Sequence, residues 1–175
     1  MTQFYAASAV CTPTRVSCMT GRYPLRYDCR TVQFDREHHL PAGTPTLARL
    51  LQQGGYTTLH VGKWNLGGIN EKHAAARVAG ETTIPGPLQQ GFDYFYMLWE
   101  GPGIHIDLDK RGVFYQQGGR HMVRNDRPSE PSDRWLTDCL TDDAIAQIER
   151  YAKSGRPMFL NLWYCNPHTP LEPAP

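Results

Sequence analysis

Hydrophobic positions in this chain twice follow the same order: a helical stripe, a glycine break, then a segment of strand length and strand composition. In the first case Thr44 caps and Pro45 opens a helix whose stripe is Leu47, Leu50 and Leu51, and Gly54 with Gly55 ends it. Residues 56–61, rich in β-branched and aromatic side chains, then read as a buried strand. In the second case Thr141 caps a helix with Asp142 and Asp143 in its first turn and Lys153 near its close. Ala144, Ile145, Ile148 and Tyr151 turn inward, and Gly155 with Pro157 ends it. Residues 158–164, MFLNLWY, have the length and continuity of a strand covered on both faces. A helix, a turn and a strand, repeated, predict an α/β protein with a mostly parallel sheet sandwiched by helices.

Elsewhere the pattern is weaker. Residues 74–76 suffice for one helical turn, Pro85, Gly86 and Pro87 mark a loop, and residues 91–96, GFDYFY, read as a strand. Ile104, Ile106 and Leu108 alternate with polar neighbours ahead of the turn Asp109-Lys110-Arg111-Gly112, and Val113, Phe114 and Tyr115 complete a β-hairpin. Residues 118–132 carry glycine, proline and charge and read as a surface excursion over the rim of a site. Residues 97–135 are thus an insertion or hairpin within one domain. The polar stretch 27–39, with its run DREHH, reads as a surface loop.

Composition narrows the function. Eighteen basic residues are scattered among seventeen acidic ones, for a net charge of +1, which argues against a nucleic-acid or anionic-membrane partner. No apolar run approaches the roughly 20 residues that a membrane helix requires. The five cysteines show no C-x-x-C spacing. Cys18, Cys139 and Cys165 read as small buried apolar side chains, and Cys29, in YDCRT, is undecided. His38 and His39 point apart on most backbones, and Asp107 with Asp109 suits a solvated hairpin, so neither pair is read as a metal site.

One stretch calls for chemistry. Residues 10–24 read VCTPTRVSCMTGRYP. Thr12 is a natural helix cap, Pro13 suits the first helical position, and Gly21 is the natural closing residue. Cys11 then lies at the positive end of a helix, with Arg15 one turn on, a place suited to work on an anion.

The spacing C-x-P-x-R followed by T-G-R resembles the signature of the type I sulfatases, of the alkaline-phosphatase-like superfamily. It is carried here by Cys11, Pro13, Arg15, Thr20, Gly21 and Arg22. Three more segments follow in the family's order. GYTT and Gly62-Lys63-Trp64-Asn65-Leu66-Gly67 resemble GYxT with GKWHLG, residues 91–95 resemble GFDYF, and Pro167-His168-Thr169-Pro170 resembles PHxP after an apolar strand.

Several expectations come with the resemblance. Cys11 is oxidised to formylglycine by a formylglycine-generating enzyme, and its hydrate is the nucleophile, with Arg15 stabilising its oxyanion. Lys63 binds the sulfate. His168 contacts the ester oxygen and protonates the leaving group, a task imidazolium suits. Both residues also follow the carboxyl end of a strand, where open α/β sheets bind ligands. Asn65 stands where the family has histidine, and asparagine cannot take a proton near neutral pH. It is therefore read as positioning substrate. Either another group transfers that proton, or turnover is slow, or the chain belongs to a branch that never used it.

The family also binds calcium, and of its ligands only the formylglycine oxygen at position 11 has a counterpart here. The acidic pair of a first strand and the later metal loop do not. Residues 1–175 are therefore expected to form one partial sulfatase catalytic domain, an internal fragment lacking the first strand and the C-terminal part. The expected activity is hydrolysis of a sulfate monoester, on a small molecule or carbohydrate. The alternatives are a phosphonate or phosphate monoester hydrolase of the same superfamily, or a non-catalytic truncated relative. The compartment is left open.

Overall fold

The computed structural model describes residues 2–32, 39–67, 71–81, 84–98, 122–129, 134–166 and 168. Four helices, α1 (Cys11–Thr20), α2 (Leu47–Gln53), α3 (Glu71–Ala79) and α4 (Leu136–Ala152), accompany five strands among these residues. The strands are β1 (Thr57–Gly62), β2 (Tyr94–Leu98), β3 (Met122–Arg124), β4 (Arg127–Pro128) and β5 (Met158–Trp163), in the sheet order β4-β3-β2-β1-β5. β1 runs parallel to both β2 and β5, whereas β3 and β4 add an antiparallel edge. The α/β class with a mostly parallel central sheet therefore holds.

Alternation along the strands builds two apolar layers. Leu59, Val61, Tyr94 and Tyr96 face Leu136, Leu140 and Ala144 of α4. Phe95, Met97, Trp64 and Phe92 face Val16 and Met19 of α1 and Ala48 of α2. β1 is buried along its whole length, so its polar residues need partners. Thr58 supplies several: its Oγ1 donates to the Gly91 carbonyl at 2.8 Å, and its N–H donates to the Asp93 carboxylate at 2.9 Å.

The helix boundaries differ from the expected ones. α1 begins at Cys11 itself, with extended Val10 as an N-cap that makes no side-chain bond, and Thr12 lies buried inside the first turn. Pro13 fits there because the first helical N–H groups have no intrahelical acceptor. Gly21 closes the helix in the left-handed conformation, as expected, at φ 64°. α2 is capped by Thr46, which accepts from the Arg49 N–H, while Thr44 turns to the Pro41 carbonyl.

The α2 stripe is also displaced: Leu47 and Leu50 are 42% and 57% exposed, and Ala48 is buried. The cause is a close backbone approach. A Cβ on Gly91 would sit 2.4 Å from the Arg49 Cα, so α2 rests on the main chain of the turn at residues 90–91, where only small side chains fit. Thr46 Oγ1 completes that contact by donating to the Gln90 carbonyl at 2.6 Å.

α4 starts five residues ahead of Thr141, which sits mid-helix with its hydroxyl on the Thr137 carbonyl. Its buried face is Leu136, Cys139, Leu140, Asp143, Ala144 and Gln147, leaving Ile145 and Ile148 49% and 40% exposed. Asp143 displaces them because it has partners inside. Tyr94 Oη donates to it at 2.7 Å, and Arg124 donates both to it at 2.8 Å and to Tyr94 Oη at 2.9 Å. Burial, and then Asp143 itself, push the Tyr94 phenol well above its usual pKa.

Three smaller corrections concern residues read as loop or core. Cys18 is exposed, whereas Cys139 is buried, Cys165 is half-buried and Cys29 proves buried. The one turn expected at residues 74–76 is the middle of α3. Within the stretch read as a surface excursion, β3 and β4 form a tight hairpin turning at Asn125 and Asp126, with φ 48° and 63°, and Met122 and Val123 are buried. The hairpin expected at residues 104–115, with Asp107 and Asp109, lies outside the described residues, as does His38. No described helix is long and apolar enough to cross a membrane.

Candidate active site

Parallel pairing of β1 with β5 brings both carboxyl ends to one edge, with Gly62 opposite Trp163. Gly62 has φ +103°, and a Cβ there would lie 2.0 Å from the Trp163 carbonyl oxygen. Glycine is thus required by both conformation and space. The Lys63 N–H donates to that same carbonyl at 2.8 Å, so the chain leaves the sheet at a defined point.

From there the Lys63 side chain, only 8% exposed, extends to α1 and places Nζ 3.5 Å from Cys11 Sγ. Arg15, one turn along α1, donates from Nη1 to the Lys63 carbonyl at 2.7 Å. Its guanidinium lies over the Trp163 ring at 4.6 Å from the centroid. Cys11, Arg15 and Lys63, distant in sequence, thus meet where the N-terminus of α1 abuts the sheet edge. A cleft of about 270 Å³ opens beside them, lined by Val10, Cys11, Thr14, Arg15, Cys18 and Trp163. Two cations and a helix N-terminus beside a nucleophilic position can hold a tetrahedral anion and oppose the charge that develops on its oxygens.

Asn65 is buried in the turn after Lys63 at φ 59°, a left-handed conformation that asparagine tolerates better than most residues. Its neighbours Trp64 and Leu66 enter the core, and Trp64 Nε1 donates to the Gly67 carbonyl. His168 is exposed on the loop leaving β5, at the same end of the sheet, and its N–H donates to the Cys165 carbonyl. Two threonines of α4 anchor that loop: Thr137 Oγ1 donates to Asn166 Oδ1, and Thr141 Oγ1 is 2.8 Å from Tyr164 Oη.

Sequence reasoning missed His60, Asn161 and Trp163. His60 is fully buried one layer beneath Lys63. Burial, and then the charge of Arg15, push its pKa down to about 3, so the ring is neutral. The available signal was a histidine and an asparagine, His60 and Asn161, within two segments that read as strands.

Among the described residues no three His, Cys, Asp or Glu side chains converge on a metal position. They do not make a calcium site, which takes six or more oxygen ligands. Position 11 does suit an oxidised, hydrated side chain: Cys11 is half-buried and lines the open cleft.

Comparison with known proteins agrees with this architecture. The family model described as Sulfatase matches residues 1–175. The chain is 31% identical to the uncharacterized sulfatase YdeN of Escherichia coli over 99% of its own length and 31% of that protein's. It is 30% identical to arylsulfatase G of Canis lupus familiaris over 97% of its length and 34% of that protein's. It spans about a third of these curated relatives. Among solved structures it resembles Ps i-CgsB in complex with k-i-k-neocarrahexaose, with TM-score 0.70 and 23% identity over 96% of this chain and 37% of that one. It also resembles BT4656 in complex with its substrate D-glucosamine-2-N,6-O-disulfate, with TM-score 0.63 and 22% identity over 97% and 27%.

Proposed function

The chain belongs to the sulfatase family, and on that premise we propose that it hydrolyses sulfate monoesters, with Cys11, Arg15 and Lys63 as the heart of the catalytic site. The observation that carries this reading is the 3.5 Å approach of the Lys63 ammonium to Cys11 Sγ at a helix N-terminus braced by Arg15. The hydrated formylglycine formed from Cys11 by a formylglycine-generating enzyme would supply the nucleophilic oxygen.

The chain's own residues do the rest. Lys63 and the first turn of α1 hold the sulfate oxygens, and Arg15 offsets negative charge beside position 11. His168, on the loop leaving β5, protonates the departing alcohol. Asn65 contributes a hydrogen bond to the bound group and no proton transfer. A sulfated carbohydrate is the substrate class favoured by the sugar ligands named for Ps i-CgsB and BT4656.

The test is mass spectrometry of tryptic peptide 1–15 after expression in a host that matures sulfatases, paired with hydrolysis of nitrophenyl sulfate and nitrophenyl phosphate. An aldehyde at position 11 with preferential sulfate release supports the reading. A retained thiol, or faster phosphate release, overturns it.

A further inference from the structure

His60 and Asn161 sit opposite each other in the paired strands β1 and β5, two residues before the sheet edge that carries Lys63. Both ring nitrogens of His60 are engaged: Nδ1 is 2.9 Å from Asn161 Nδ2, and Nε2 is 3.0 Å from the Gly62 carbonyl oxygen. An amide nitrogen only donates and a carbonyl only accepts, so these partners assign the tautomer. Nδ1 accepts from Asn161, and Nε2 carries the hydrogen and donates it to Gly62.

The ring also meets the site through its aromatic neighbours. It is edge-on to Trp64, the residue after Lys63, at 5.1 Å between centroids, and to Trp163, the ring beneath Arg15, at 5.7 Å. One buried side chain therefore touches the residues on both sides of Lys63 and the platform under Arg15. The direction of the Gly62 carbonyl sets the plane of the Gly62–Lys63 peptide. That plane fixes where Lys63 leaves the sheet.

We propose that the His60–Asn161 pair is a positioning device that clamps the Gly62 carbonyl, and through it holds the Lys63 side chain against Cys11 and the Lys63 carbonyl against Arg15. Two apolar residues would fill the same space without the cost of desolvating polar groups, so what the polar pair adds is direction. Burial and the charge of Arg15 keep the ring neutral, so the donor at Nε2 persists across the physiological range. The inference rests on reading Cys11, Arg15 and Lys63 as the site, but its test needs no turnover. A chain that holds Lys63 normally yet releases no sulfate would sink the functional reading alone.

The test uses the full chain with Cys11 kept as a thiol. Its alkylation by iodoacetamide at fixed pH is followed on tryptic peptide 1–15, which contains no other cysteine. A cation beside a cysteine sulfur promotes its reaction, so Lys63→Met should slow alkylation roughly threefold or more. The double variant His60→Leu with Asn161→Leu, which removes both polar side chains together and takes from the Gly62 carbonyl its side-chain donor, should show most of that loss while keeping a cooperative thermal transition. His60→Gln, which retains a donor for the Gly62 carbonyl, should stay close to the wild-type rate. A double variant that melts cooperatively and alkylates at the wild-type rate overturns the proposal, as does a wild-type rate for Lys63→Met. Should the double variant fail to fold, the nitrogen spectrum of His60 in the unaltered chain decides. A neutral ring protonated at Nε2 between pH 8 and 5 supports the clamp, and the opposite tautomer or a titrating ring refutes it.

Discussion

Arg15 and Lys63, 48 positions apart, are joined by a 2.7 Å hydrogen bond from the guanidinium to the main-chain carbonyl. The guanidinium simultaneously stacks on Trp163, so its plane is set from two directions. Arg15→Lys keeps the charge but loses both the fork and the flat face. Sulfate release in the active protein should fall about 100-fold, as for loss of one preorganised donor, with little change in thermal midpoint. Initial rates with nitrophenyl sulfate check this.

Gly62 is the second point of tight geometry. Gly62→Ala would combine φ +103° with a Cβ 2.0 Å from the Trp163 carbonyl oxygen. Backbone strain and overpacking together should cost about 3 kcal/mol or more, visible as a lower urea midpoint. An unchanged midpoint would mean that the β1–β5 pairing is looser than described.

Acid should unfold the protein through His60. Its folded pKa, lowered to about 3 mainly by burial, lies below the ordinary value of 6.5, so the unfolded chain binds the extra proton first. The contribution of this neutral ring to stability is complete above pH 6.5. It is lost as pH falls toward 3, at up to about 1.4 kcal/mol per pH unit. Urea melts from pH 7 to 4 should show a slope that His60→Leu, in the Asn161→Leu background, reduces.

Arg77 and Asp126 form a buried ion pair joining α3 to the β3–β4 turn, with side chains 4% and 6% exposed. Arg77 also donates to the Ile84 carbonyl at 3.2 Å. Asp126→Asn removes the carboxylate charge that faces the buried Arg77 guanidinium and should cost about 3 kcal/mol. Arg77→Met combined with Asp126→Asn, which the left-handed turn position tolerates, should recover part of that loss, and together with the two single variants it completes a double-mutant cycle on urea midpoints.

Local patterns revealed the elements more reliably than their orientation. The run at residues 158–164 was legible as a strand from its length and apolar character, although β5 lies at the sheet edge and is half-buried at every position but Asn161. Residues 56–61 were legible from their β-branched and aromatic side chains, and β1 is the strand buried throughout. The α1 helix was legible from Pro13 to Gly21. Its first residue was not, since Val10 caps it without a side-chain bond. Which face of α2 or α4 turns inward depended on what stood opposite. For α2 that was the bare backbone of Gly91, and for α4 the Tyr94–Arg124 pair that receives Asp143. Neither neighbour is visible from within the helix.

The site divides along the same line. The letters singled out Cys11 and Arg15 from a helix start suited to an anion, and the resemblance to the sulfatase motifs added Lys63, Asn65 and His168 as candidates, because such motifs are local in sequence. Only the folded sheet could join the first three, since β1 must pair with β5 before Gly62 meets Trp163 and Lys63 is turned toward α1. The same pairing exposed His60 and Asn161 as partners. In one dimension they are two isolated polar residues 101 positions apart, and a hydrogen bond between them exists only once the strands are in register.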